Sequence, residues 1–369
     1  MVSAAGTGRV RRLTTLDALR GLSVFAMIEQ HVGIWLWEGP APGKTELDYP
    51  GLVLFNVGSA IGAPMFFVLA GVGTALLCQH TRRPGLDASL LRRGLMLYGF
   101  GLLVNLLTPS WFSWGSFFAL HMMGVGIMLA PLWRRLPDRM LLVGAGLLLA
   151  GAPLAQAWLE TPADLTNPHM RDVSLPGGAL RLALFESQYC LFPWLSTYIL
   201  GFWAGRVVAR GDLRPLVRVG VVLFSIGALG HLAVWLTGAT EPDLLWRAFR
   251  IKLGWFPASI AIVTLLLGPT LWILAGAVRL DARRPLSPDH VLVTLGRISL
   301  TVFIVHAPLF RELSRPIGWW SALAPGPTLL VIATFTALCL VFSRWWSRHD
   351  YRYGAEWLMR RLADAPRPR

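Results

Sequence analysis

Charge is what this 369-residue chain has least of. Asp, Glu, Lys and Arg together make up 15% of it, against about a quarter in an ordinary soluble domain. The shortage is concentrated: no charged residue occurs from Tyr49 through Gln79, and none from Pro257 through Val278. Each run exceeds the roughly 20 apolar residues with which a helix crosses a bilayer. A soluble fold is thereby excluded. With 54% hydrophobic residues, the chain is expected to be all-α, a polytopic membrane helix bundle whose backbone polar groups are satisfied within each helix.

Cysteine is nearly as scarce. Cys78, Cys190 and Cys339 are scattered in or beside apolar segments, which argues against a disulfide framework. No two histidines stand four residues apart, so no metal site is expected. The two halves lack the internal similarity common in transporters. A soluble domain is missing too: the longest connection, from Leu159 to about Leu184, is too short for one and reads as an ordered loop with Pro162, Pro168, Pro176 and Gly177-Gly178. We therefore expect one membrane-embedded domain over residues 1–369. Nor does the start resemble a cleavable signal. Behind Arg9, Arg11 and Arg12 the apolar stretch carries Asp17, Arg20, Glu29 and His31, unlike the short unbroken apolar core of a signal peptide. It is expected to remain as a first helix.

What is present is a series of ten apolar segments, at roughly 15–37, 52–77, 90–107, 117–133, 140–158, 185–208, 216–236, 256–277, 292–313 and 328–346. The net charge of +14 would point to nucleic acid in a soluble protein; its distribution argues otherwise. Alternate connections hold Arg9, Arg11 and Arg12, then Arg82, Arg83, Arg92 and Arg93, then Arg134, Arg135 and Arg139, then Arg206, Arg210, Arg214 and Arg218, then Arg279, Arg283 and Arg284, and the tail from Arg344. The opposite set holds only Lys44, Arg171, Arg181, Arg247, Arg250, Lys252, Arg311 and Arg315. The positive-inside rule then places both termini in the cytoplasm, as an even number of about ten spans also requires. No nucleic-acid partner is expected; the bilayer is. Seventeen Trp suit its interfaces.

Polar groups at membrane depth are costly and mark functional sites. The first helix has the most. Arg20 and His31 are eleven residues apart, three turns plus about 20°, so they share a face about 16 Å apart along the axis. Asp17 lies within about 60° of Arg20, and Glu29 points roughly the opposite way. Arg20, near the cytoplasmic end, could hold an anion such as a phosphate. His31, deeper and toward the outside, could take a proton from a hydroxyl or amine. On spacing alone, an Arg20–Asp17 ion pair and a structural hydrogen bond from His31 explain the pattern at least as well. His121 in the fourth segment and His306 in the ninth are pocket candidates on the same terms, as is Glu29. In the second segment Gly62, Gly71 and Gly73 permit close helix approach, and Pro64 predicts a kink or local unwinding.

Several stretches together resemble a superfamily of membrane acyltransferases that includes the acyltransferase-3 and the heparan-α-glucosaminide N-acetyltransferase families. Leu16-Asp17-Ala18-Leu19-Arg20-Gly21, with His31 eleven residues after the arginine, resembles its opening motif. Pro64-Met65-Phe66-Phe67-Val68-Leu69-Ala70-Gly71, Phe192-Pro193-Trp194 followed by Gly201 and Gly205-Arg206, Leu295-Gly296-Arg297-Ile298-Ser299-Leu300 with His306, and Tyr353-Gly354-Ala355-Glu356-Trp357-Leu358 are similar to later ones, in family order. Arg92 and Arg93 are adjacent where many acyltransferase-3 members carry Arg-x-x-Arg, and Ala355 stands where a proline is usual; the pattern leans toward the heparan-acetyltransferase-like branch.

The resemblance implies transfer of an acyl group, usually acetyl, from cytoplasmic acetyl-CoA or another acyl-CoA to a glycan or other small acceptor across the membrane. It implies His31 as catalytic base or transient acyl carrier, with Arg20 and Asp17 beside it in the motif. Arg20, Arg92, Arg93, Arg206 and Arg297 become candidates for the phosphates of CoA, since arginine binds phosphate bidentately. His121, His306 and Glu29 become pocket candidates. The acceptor would enter between the loops Glu38–Tyr49 and Glu160–Arg181, near Trp111, Trp114, Trp319 and Trp320. A bacterial inner (plasma) membrane, multi-pass, is the implied location, and a homodimer is admissible. The alternative from another class is a transporter or flippase with Arg20, His31 and His306 along its path.

Overall fold

The computed structural model describes residues 13–52, 59–80, 84–162, 178–251 and 257–363. Arg9, Arg11 and Arg12, residues 53–58 of the expected second span, most of the long loop after Glu160 and the end of the tail lie outside them.

Among the described residues every repeating element is a helix. The main ones are α1 (Thr14–Leu36), α2 (Gly62–His80), α3 (Leu86–Leu107), α4 (Ala119–Met128), α5 (Asp138–Trp158), α6 (Leu191–Arg210), α7 (Arg214–Thr237), α8 (Ile260–Arg283), α9 (Val291–Arg297), α10 (Ser299–Ala307), α11 (Pro325–Ser347) and α12 (Ala355–Ala363). Their ends follow local chemistry. The Ser259 hydroxyl accepts the Ile262 N–H to cap α8. α7 has a proline in its first turn and stops at Gly238, and α6 stops at Gly211, both glycines at positive φ. Pro64 falls in the first turn of α2, directly after a turn at Ala60–Ile61, so the local unwinding expected there is present.

Among the described residues six helices, α2, α3, α5, α7, α8 and α11, are long and apolar enough to cross a bilayer. A seventh is the broken pair α9 and Ser299–Glu312, bent by 69°. This is fewer than the ten segments expected, and each shortfall has a reason. The segment at 117–133 is only the ten-residue α4, because Pro131 ends the pattern and a separate turn, Ala130–Trp133, follows. α1 carries Asp17, Arg20 and Glu29, and α6 is buried along nearly its whole length. Helices enclosed by other helices need no uniformly apolar surface.

Burial sorts the bundle into layers. α2 and α8 have 56% of their apolar window buried, while α7 has 22% and α11 28%; the latter two present Leu229, Trp235, Leu330 and Val341 outward. At the centre α2 and α6 pack closely. A side chain added at Gly71 would strike the Tyr198 carbonyl and the Phe202 N–H, and one at Gly201 would strike Val68. α1 and α9 meet in the same way, Gly21 against the Leu292 carbonyl and Gly296 against that of Asp17. The small residues are thus used for backbone approach.

Candidate active site

Beside this core a chamber opens between α1, α2, the start of α4, α10 and the residues before α6. It holds about 670 Å³ of empty space when the part open to solvent is included. Phe66, Phe112, Phe118 and Phe303 form apolar walls; Ser23, Gln30, Ser59 and Gln188 supply polar groups; His31 and His306 line it together.

The two histidines come from helices 275 residues apart. His31 Nδ1 lies 2.9 Å from His306 Nε2, with the rings nearly parallel. His306 Nδ1 lies 2.7 Å from the Phe303 carbonyl oxygen. A carbonyl only accepts, so His306 Nδ1 carries the proton. In the neutral ring its Nε2 is then the acceptor, and His31 Nδ1 must donate to it. The basic lone pair of His31 is thereby assigned to Nε2. Trp35, one turn further along α1, stacks on His31 at 4.9 Å between centroids, and Trp111 meets it edge-on at 5.5 Å, so packing fixes the ring as well as its tautomer.

His306 owes its position to the break between α9 and α10. Ile298 leaves the helical conformation (φ −112°, ψ 13°), so the first turn of α10 starts anew and must find acceptors for its N–H groups. They come from the tail: Glu356 Oε1 accepts from the N–H groups of Leu300 (2.6 Å) and Thr301 (3.1 Å), and Oε2 accepts from the Thr301 hydroxyl (2.6 Å). Burial raises the pKa of this carboxyl, and these hydrogen bonds favour its ionised form. The tail motif thus has a structural task that its sequence did not reveal.

The other candidates are distributed around this pair. Arg20 donates to Asp17 Oδ1 (3.0 Å) and to the Leu69 carbonyl (3.3 Å), and a side chain at Gly73 would collide with its guanidinium. Arg297 approaches the other oxygen of Asp17 at 3.6 Å. Asp17, buried, therefore holds two arginines from α1 and α9, three or four turns from His31. Neither it nor the arginines line the chamber. Arg206 is occupied differently, donating to the carbonyls of Trp133 (2.8 Å) and Leu136 (2.7 Å) and to Asp138 (2.9 Å), which locks the turn between α4 and α5. Arg92 is exposed and Arg93 half-buried on α3. His121 is fully buried and outside the chamber. Its Nδ1 accepts the Phe118 N–H at 3.2 Å, capping its own helix, and its Nε2 faces Gly101. Glu29 is buried in α1 and also lies outside the chamber lining. Trp111 touches His31, whereas Trp114 and Trp319 are exposed.

Two family models match the chain. The one described as Heparan-alpha-glucosaminide N-acetyltransferase, catalytic, covers residues 12–237, more than half of the chain and all of α1 through α7. The one described as Protein of unknown function (DUF418) covers residues 208–366. His31 falls in the first and His306 in the second. No curated protein matches.

Proposed function

Because the chain belongs to the heparan-alpha-glucosaminide N-acetyltransferase catalytic family, we propose that it moves an acetyl group from cytoplasmic acetyl-CoA to a hydroxyl or amine of a sugar or other small acceptor outside the membrane. The observation that carries this proposal is the His31–His306 pair on the chamber wall. Its hydrogen-bond chain, running from the Phe303 carbonyl through His306 to His31, favours Nε2 of His31 as the base.

The step balances as follows. The acceptor's O–H or N–H gives its proton to His31 Nε2 as its oxygen or nitrogen attacks the thioester carbonyl. The C–S bond breaks, and the CoA sulfur leaves, taking a proton back from the imidazolium. His306 stabilises the charge on His31 by accepting from its Nδ1 throughout. The apolar walls exclude water that would otherwise hydrolyse the thioester. At the cytoplasmic end Arg20 and Arg297 share the single carboxylate of Asp17, leaving an excess positive charge suited to the phosphates of CoA. Asp17 acts here by holding the arginines. Both termini in the cytoplasm of a bacterial inner membrane fit this direction of transfer.

The test uses detergent-purified protein, labelled acetyl-CoA and a panel of amino sugars and neutral sugars. Acetyl-CoA is expected to bind in a calorimeter, less tightly after Arg20→Ala. His31→Ala is expected to keep binding and lose transfer. Full transfer by His31→Ala, or a folded protein that binds no acetyl-CoA, overturns the proposal.

A further inference from the structure

The end of α1 that carries His31 also supports a buried cation which the transfer step does not use. Arg311 follows α10, in the turn Pro308–Glu312. It is 9% exposed, and three indoles surround its guanidinium, with centroids at 5.8 Å (Trp35), 5.1 Å (Trp111) and 4.8 Å (Trp320). Two of these, Trp35 and Trp111, are the rings that hold His31, and Trp111 itself lines the chamber.

Among the described residues, one acceptor meets this group: the Ser110 carbonyl, 3.1 Å from Nη2. Nε is buried without an acceptor. The nearest carboxylate in sequence, Glu312, is turned instead to the N–H (3.1 Å) and hydroxyl (2.7 Å) of Ser110. Arg315, exposed, stacks on Trp320 at 3.9 Å and adds a second positive charge. Neither arginine has an ion pair among the described residues. A guanidinium taken out of water with no carboxylate in contact is costly, and the charge of Glu312 acts on it only from beyond ion-pair distance. The indoles offset part of that cost through their π faces, but they accept no hydrogen bond from the fork of N–H donors. That fork matches a carboxylate, sulfate or phosphate.

We propose that Arg311, assisted by Arg315, binds an oxyanion carried by the acceptor, so that the enzyme takes an acidic sugar whose accepting hydroxyl or amine reaches His31 across Trp111. This rests on the transfer reading above for the word acceptor; the anion site itself does not.

The experiment compares methyl β-glucuronide with its neutral partner, methyl β-glucoside, on the full chain. Binding is measured calorimetrically with no acyl-CoA present, so the result does not depend on transfer. The glucuronide is expected to bind at least tenfold more tightly. Arg311→Met should remove that margin, Arg311→Lys should keep part of it, and Arg315→Gln should reduce it severalfold. The exposed Arg315 carries the test should Arg311→Met fail to fold. In the transfer assay the ratio of kcat/KM for the acid over the neutral sugar should fall at least tenfold in Arg311→Met. Equal binding of the two sugars by the unaltered protein overturns the proposal. So does a margin that survives both Arg311→Met and Arg315→Gln. In nanodiscs, glucuronide binding abolished by phosphatidylglycerol but kept in phosphatidylcholine assigns the arginines to a lipid headgroup and also overturns it. Binding through Arg311 with no transfer to any sugar upholds the anion site and overturns the transfer reading alone.

Discussion

Replacing His306 by phenylalanine separates a histidine that merely fills space from one that directs its neighbour. The ring volume is nearly kept, and the surroundings, Phe303 and Trp35, accept an aromatic. What is lost is the acceptor 2.9 Å from His31 Nδ1. Leaving such a half-buried donor unmet costs at most about 1–3 kcal/mol. The ring can escape that cost by turning or by moving its proton to Nε2, and either change removes the lone pair from the reacting position. Restoring the reactive form during turnover requires the same energy, which at about 1.4 kcal/mol per decade is roughly a 5- to 150-fold loss of kcat. Acetyl-CoA affinity should not change, because Arg20 and Arg297, the arginines proposed to hold its phosphates, lie about three turns from His31 and outside the chamber. The assay is steady-state transfer of labelled acetyl beside calorimetric binding. His306→Gln supplies a side-chain oxygen as acceptor and should recover part of the loss. Unchanged kcat in His306→Phe, or His306→Gln no better than His306→Phe, would refute the reasoning.

Two further outcomes follow from the fold. Glu356→Ala removes three hydrogen bonds from the start of α10 and should lower stability by about 1–3 kcal/mol. It should also lower kcat with acetyl-CoA affinity kept; thermal unfolding and the transfer assay check both, and an undisturbed kcat would show that the cap does not position His306. Gly71→Leu drives a side chain into the backbone of α6 at Tyr198 and Phe202. The expected loss exceeds about 4 kcal/mol, seen as failure to recover monodisperse protein, and a variant of normal stability would contradict the helix contact.

Much of the bundle was legible because membrane insertion imposes a simple rule on composition. The charge-free runs from Tyr49 and from Pro257 correspond to α2 and α8, and the glycines of the second segment do lie at a helix contact. The helical period put Arg20 and His31 on one face of α1 without any structure. The short motifs were enough for the family. The span count was less legible, since α1 and α6 are enclosed by other helices and escape the apolar rule, while α4 stops after ten residues.

The site divides along the same line. Local chemistry and periodicity determined which residue types lie at membrane depth and how those of one helix are phased, since both depend on residues a few positions apart. Tertiary packing decided which histidine His31 meets. The choice of His306 depends on the break at Ile298 and on a carboxylate from the tail. It also decided that Asp17 would bind Arg297 as well as Arg20, that His121 would turn inward to cap its own helix, and that Arg206 would bind backbone carbonyls. It set Arg311 on the indoles beside His31. These pairings join residues up to 280 positions apart through side-chain rotation and helix ends, and no periodicity along the chain encodes them.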